Sequence, residues 1–122
     1  MLIKPLILVI DEDTEIVNGL TRLLEAEGYR VLSAFNGELI REILTKDRPS
    51  LAIVNLRVPR EFGLSIVKKI KGISPKLPVI GMTVFSESFN GHEVRDYGID
   101  VCFSKPFDVE VFRQSVARLV KS

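Results

Sequence analysis

Tryptophan is absent from this chain, and cysteine and histidine occur once each, as Cys102 and His92. A lone cysteine excludes an internal disulfide, and the missing indole removes the usual fluorescence reporter. No apolar run approaches the roughly 18 residues that cross a bilayer. The apolar start Met1-Leu2-Ile3-Lys4-Pro5-Leu6 passes straight into a strand and shows no small-residue cleavage site. Neither sign of charge dominates. Seventeen basic residues against sixteen acidic ones leave a net charge of +1, so no global field draws the chain to nucleic acid or to an anionic membrane. A glycine-rich phosphate loop after the first apolar run is also missing. Asp11-Glu12-Asp13 stands there instead and repels phosphate, which argues against a flavin or nucleotide binder. The expectation is a protein of the reducing cytoplasm that spans no membrane and binds no nucleic acid itself.

What is present is regular. At 122 residues and 46% hydrophobic, residues 1–122 suit a single domain that buries roughly two thirds of its unfolded surface. Short apolar runs alternate with amphipathic stretches five times. Leu6–Ile10, Arg30–Ala34, Leu51–Val54, Pro78–Met82 and Val101–Phe103 read as strands. The first, third and fourth are continuously apolar, as parallel strands covered on both faces should be.

Helical spacing groups Ile16, Leu20, Leu23 and Leu24 before Gly28, then Leu39, Ile40, Ile43 and Leu44, then Leu64, Ile66, Val67 and Ile70. A last helix carries Val109, Phe112, Val116, Leu119 and Val120. The fourth, roughly residues 88–97, contains Gly91, which costs about 1 kcal/mol relative to alanine in a helix interior; it is expected to be short or mobile. Asp13 or Thr14 caps the first helix. Alternating strands and helices predict a doubly wound α/β domain around a parallel five-stranded sheet with right-handed crossovers.

Ligands and chemistry in such sheets collect at the carboxyl ends of the strands. There the chain places Asp11-Glu12-Asp13, Asn55 and Arg57, Thr83, and Ser104-Lys105-Pro106. In that order and at those spacings, with Pro59 and Gly63 after the third strand and Phe107 after Pro106, the chain resembles the receiver domain of bacterial two-component response regulators over nearly its whole length.

The resemblance implies a flavodoxin-like sheet with strand order 2-1-3-4-5, and a signalling domain of a phosphorelay rather than an enzyme. Asp11 and Glu12 match the acidic pair that holds Mg²⁺, with the backbone carbonyl of Arg57 as a further ligand. Thr83 and Lys105 match the groups that bind phosphoryl oxygens, and Lys105-Pro106 is expected as a cis peptide. The phosphoacceptor position falls on Asn55. An amide lacks both the charge for a cation and the nucleophilic oxygen for phosphoryl transfer. Phosphorylation there should fail, and Mg²⁺ should bind roughly a hundredfold more weakly, if at all. Arg57 either turns its guanidinium toward Asp11 or Glu12 or points into solvent. Without its carboxylate partner, Lys105 is expected to contact Asp11 or Glu12, with the Asn55 carbonyl as a further acceptor.

Two departures concern switching. Val84 narrows the approach to the site beside Thr83, and Cys102 stands where many receivers carry a mobile aromatic ring. Cys102 then reads as a small buried hydrophobe, and His92 as a solvated residue without a role. The resulting expectation is a pseudo-receiver acting by protein–protein contact with a sensor histidine kinase or an output protein. One alternative is an ordinary phosphoacceptor whose aspartate at position 55 was exchanged for asparagine by design. The output face, formed by the fourth helix, the fifth strand and the fifth helix, presents Glu93, Arg95 and Asp96 opposite Arg113, Gln114, Arg118 and Lys121. It would suit either a homodimer or an ordinary solvated surface.

Overall fold

A computed structural model describes residues 4–56, 60–83, 95–104 and 106–121. Five parallel strands form one sheet in the order β2-β1-β3-β4-β5, namely β1 Leu6–Ile10, β2 Arg30–Ala34, β3 Leu51–Asn55, β4 Val79–Thr83 and β5 Val101–Ser104. The expected order is thus the observed one. Strands β3, β4 and β5 each run one residue beyond the expected ends, because Asn55 pairs with Met82 and Thr83 with Ser104.

Successive strand residues point to opposite faces, and each face has its own core. Leu8, Ile10, Ala52, Val54 and Val79 pack with helices α2 (Ile40–Glu42) and α3 (Arg60–Ile73). Ile7, Val9, Ile53, Ile80, Met82 and Phe103 pack with α1 (Thr14–Ala26) and the C-terminal helix (Val109–Val120). This double cover explains why every residue of β1 and β4 is buried and why those runs are apolar without alternation.

Helix α1, Thr14–Ala26, starts where the Asp13 carboxylate accepts from the Glu15 and Ile16 backbone N–H groups, so Asp13 is the cap. Val17, Leu20 and Leu24 lie on its buried stripe, with Ile16 and Leu23 partly buried beside them. It ends ahead of Gly28, whose φ of +93° is a left-handed conformation that suits glycine. Helix α3, Arg60–Ile73, buries Leu64, Val67 and Ile70. In the C-terminal helix, Val109–Val120, Phe112 and Val116 are fully buried. Phe112 stands 5.4 Å from the Phe103 ring and 5.2 Å from the Phe107 ring, centre to centre.

Two apolar residues leave the core face expected of them. Leu39 is 57% exposed, because helix α2 begins only at Ile40 and Leu39 precedes its first turn. Val109 is 49% exposed as the opening residue of its helix. Helix α2 itself is short, Ile40–Glu42, and continues as a wider π-type turn over Ile43–Asp47 that closes on Arg48. Of the expected fourth helix, Arg95 and Asp96 are helical and exposed; its earlier part, including Gly91, His92 and Glu93, lies outside the described residues.

Candidate functional site

The carboxyl ends of β1 and β3 lie side by side, since Ile10 pairs with Val54, so the next residues on each strand, Asp11 and Asn55, become neighbours. Asp11 is only 5% exposed. Its Oδ1 accepts the Asp13 backbone N–H at 2.9 Å and the Asn55 side-chain Nδ2 at 3.0 Å. A carboxylate has acceptors only, so the amide must turn its NH₂ toward it. Asn55 therefore meets Asp11 as a hydrogen-bond donor, in addition to the acceptor role expected of its carbonyl.

Backbone packing holds Asn55 in place. Leu56 turns inward, is fully buried, and donates its N–H to the Met82 carbonyl at 2.7 Å. A Cβ on Gly81 would lie 2.5 Å from Leu56 Cδ1, and a Cβ on Gly63 would lie 2.8 Å from both the Asn55 carbonyl oxygen and Leu56 Cα. Glycine at these two positions lets α3 and β4 close on the turn after β3.

Asp11, Glu12, Asn55 and Gly63 line a small notch together with Ile10, Phe35 and Ile66. Glu12 is exposed at its mouth. Thr83 is buried at the end of β4, one residue beyond the Met82 that pairs with Asn55. Sequence reasoning thus brought Asp11, Glu12, Asn55 and Thr83 to one rim. It overlooked Phe35, although Ala34 pairs with Ile10 and the residue after β2 must therefore reach the same edge. Arg57, Pro59, Val84 and Lys105 lie outside the described residues, and so do the Lys105 contact and the Lys105-Pro106 peptide.

The donor set fits Mg²⁺ poorly. The cation prefers charged oxygen ligands in octahedral geometry, whereas Asp11 Oδ1 is already used by two N–H donors and Asn55 brings no charge. Among the described residues, no group of three or more His, Cys, Asp or Glu side chains stands close enough to hold a metal ion.

Cys102 is half-buried against the α2–α3 core, and burial pushes its thiol above the ordinary range. On the face expected to serve output, Arg113 differs from expectation. Its guanidinium is held within the chain, 2.7 Å from Glu27 Oε2 and 3.1 Å from Glu110 Oε2. The cause is geometric, because Glu27 closes α1 beside the C-terminal helix. The Glu27 hydrogen bond and charge, reinforced by Glu110, raise the Arg113 pKa further. Arg118 and Lys121 are exposed on the same helix, as are Arg95 and Asp96 across from it.

A parallel sheet in the order 2-1-3-4-5, with polar side chains gathered at its carboxyl edge, defines a doubly wound, flavodoxin-like α/β fold. The family model for the response regulator receiver domain matches residues 7–117, and this chain belongs to that family. It is 33% identical over 112 residues to sporulation initiation phosphotransferase F of Bacillus subtilis, covering 92% of this chain and 90% of that protein. It is 30% identical over 104 residues to response regulator MprA of Mycobacterium tuberculosis, covering 85% of this chain and 45% of that protein. A response regulator from Thermotoga maritima superposes with a TM-score of 0.86 at 20% identity, covering 98% of this chain and all of that one. A CheY-like receiver from Methanospirillum hungatei superposes at 0.85 and 22% identity, covering 98% and 95%. These two structural likenesses concern the fold. No helix among the described residues is long and apolar enough to cross a membrane.

Proposed function

We propose that this receiver domain does not accept a phosphoryl group at position 55 and acts as a pseudo-receiver, through contacts with a protein partner. One observation carries the reading: Asn55 Nδ2 donates to Asp11 Oδ1 at 3.0 Å. The amide neutralises in advance the crowding of negative charge that a carboxylate at this position would create, and for which a receiver needs a cation. Without a nucleophilic oxygen no acyl phosphate forms, and without its charge Mg²⁺ is held weakly or not at all. The chemical role is lost while the fold that presents the surface is kept. The partner is a histidine kinase or an output protein, the partner class of the family.

The test is incubation with acetyl phosphate and Mg²⁺, followed by intact-mass spectrometry, on the parent and on Asn55→Asp. The parent should stay unmodified while Asn55→Asp gains a phosphoryl group. A stoichiometric phosphoryl adduct on the parent that is absent from an Asn55→Ala variant would refute the reading.

A further inference from the structure

At the opposite end of the sheet, where β3 and β4 begin, lies a depression of about 430 Å³ between the end of the π-type turn and the α3–β4 connection. Arg48, Ser50, Ser74 and Lys76 line it together with Leu77 and Val120, and no acidic residue takes part. Several bases elsewhere in this domain are engaged. Lys69 donates to the Gly37 carbonyl, Lys71 to the Leu77 carbonyl, and Arg113 to Glu27. Among the described residues, neither the Arg48 guanidinium nor the Lys76 ammonium has a hydrogen-bond or ion-pair partner.

Arg48 adds a second observation. Its φ of 49° and ψ of 64° are left-handed, and it is the one non-glycine residue with positive φ among those described. Glycine or asparagine takes that conformation at lower cost. An arginine held there against its backbone preference, with its charge uncommitted at the edge of an acid-free depression, is a form of local strain associated with binding.

We infer that this depression binds a small organic phosphate monoester. Two cations match the near-dianionic charge of a phosphate ester better than the single charge of a carboxylate. The two hydroxyls supply further donors, and Leu77 and Val120 offer apolar contact to the organic body. The size suits a small ligand rather than a bare ion. The site is separate from the Asn55 edge and does not depend on the pseudo-receiver reading.

The experiment is an amide-resolved NMR titration of the ¹⁵N-labelled protein with phenyl phosphate, with benzoate and benzyl alcohol run in parallel. The same series is repeated on Lys76→Gln and on Arg48→Asn, since asparagine tolerates the left-handed backbone. Phenyl phosphate should give saturating shifts at Arg48, Ser50, Ser74, Lys76 and Leu77. Each variant should weaken binding by about tenfold, with benzoate weaker and benzyl alcohol silent. Absent or non-saturating shifts, or shifts centred on Asp11 and Thr83 instead, would overturn the inference. Unchanged affinity in both variants would do the same. Equal binding of benzoate would overturn the phosphate class, and equal binding of benzyl alcohol would overturn the anion site altogether.

Discussion

Replacing Asn55 by aspartate should destabilise the domain in the absence of divalent cations. The substitution turns the donor at 3.0 Å from Asp11 Oδ1 into a carboxylate oxygen, so a hydrogen bond becomes a like-charge contact. Two unit charges about 4 Å apart interact by about 4 kcal/mol at an effective dielectric near 20, and the lost hydrogen bond to a charged group adds about 1.5 kcal/mol or more. Asn55 is partly exposed, so rotation of the new carboxylate and solvent screening return part of this. We expect a net loss of about 2–3 kcal/mol, or about 8–12 °C in Tm for a domain of this size. Saturating Mg²⁺ should restore about 2–3 kcal/mol to Asn55→Asp through binding to the folded state alone and leave the parent unchanged. Urea unfolding followed by far-UV circular dichroism, with and without Mg²⁺, measures both. Equal stability of the two proteins in EDTA would refute the argument that the amide relieves repulsion, and a large Mg²⁺ stabilisation of the parent would refute weak metal binding.

Three further expectations follow from the same geometry. Gly63→Ala places a methyl group 2.8 Å from the backbone at Asn55 and Leu56, where no flexible side chain can yield, and should cost about 2–4 kcal/mol in denaturant unfolding; a loss below about 0.5 kcal/mol would show that α3 shifts freely. Burial raises the Cys102 thiol pKa, so the unfolded chain ionises first as pH rises past about 8.5. Stability should therefore fall from that point up to the folded pKa, be insensitive to this thiol below neutrality, and lose this component in Cys102→Ala. Iodoacetamide should also alkylate Cys102 more slowly in the folded protein than in urea, and equal rates would contradict its protection. Finally, we expect self-association through the face carrying Arg95, Asp96 and Arg118. Arg118→Glu should shift the protein toward monomer in sedimentation velocity, and a parent that sediments as monomer at all concentrations removes this expectation.

Periodicity and strand-end logic made most of the fold readable before any coordinates. A parallel strand covered on both faces must be apolar throughout, so Leu6–Ile10 and Leu51–Val54 declared themselves, and the carboxyl-edge rule then gathered Asp11, Glu12, Asn55 and Thr83. Helix ends were less legible. Nothing in the spacing of Leu39, Ile40, Ile43 and Leu44 reveals that the helix starts one residue late and widens into a π-type turn, because 3.6-residue periodicity reports which side faces the core and not where a helix begins or how tightly it winds.

By itself, the sequence determined which group stands at position 55, an amide, which carries neither a negative charge nor a carboxylate oxygen in any fold. Only the tertiary structure decided which way that amide faces and what it does there, since the Asn55–Asp11 hydrogen bond joins residues 44 positions apart. The pairing of Arg113 with Glu27, 86 positions away, and the acid-free depression around Arg48 and Lys76 are likewise products of chain crossing. Local pattern is written in residues close along the chain, whereas charge compensation and cavities arise from which distant residues the packed layers bring within a few ångströms.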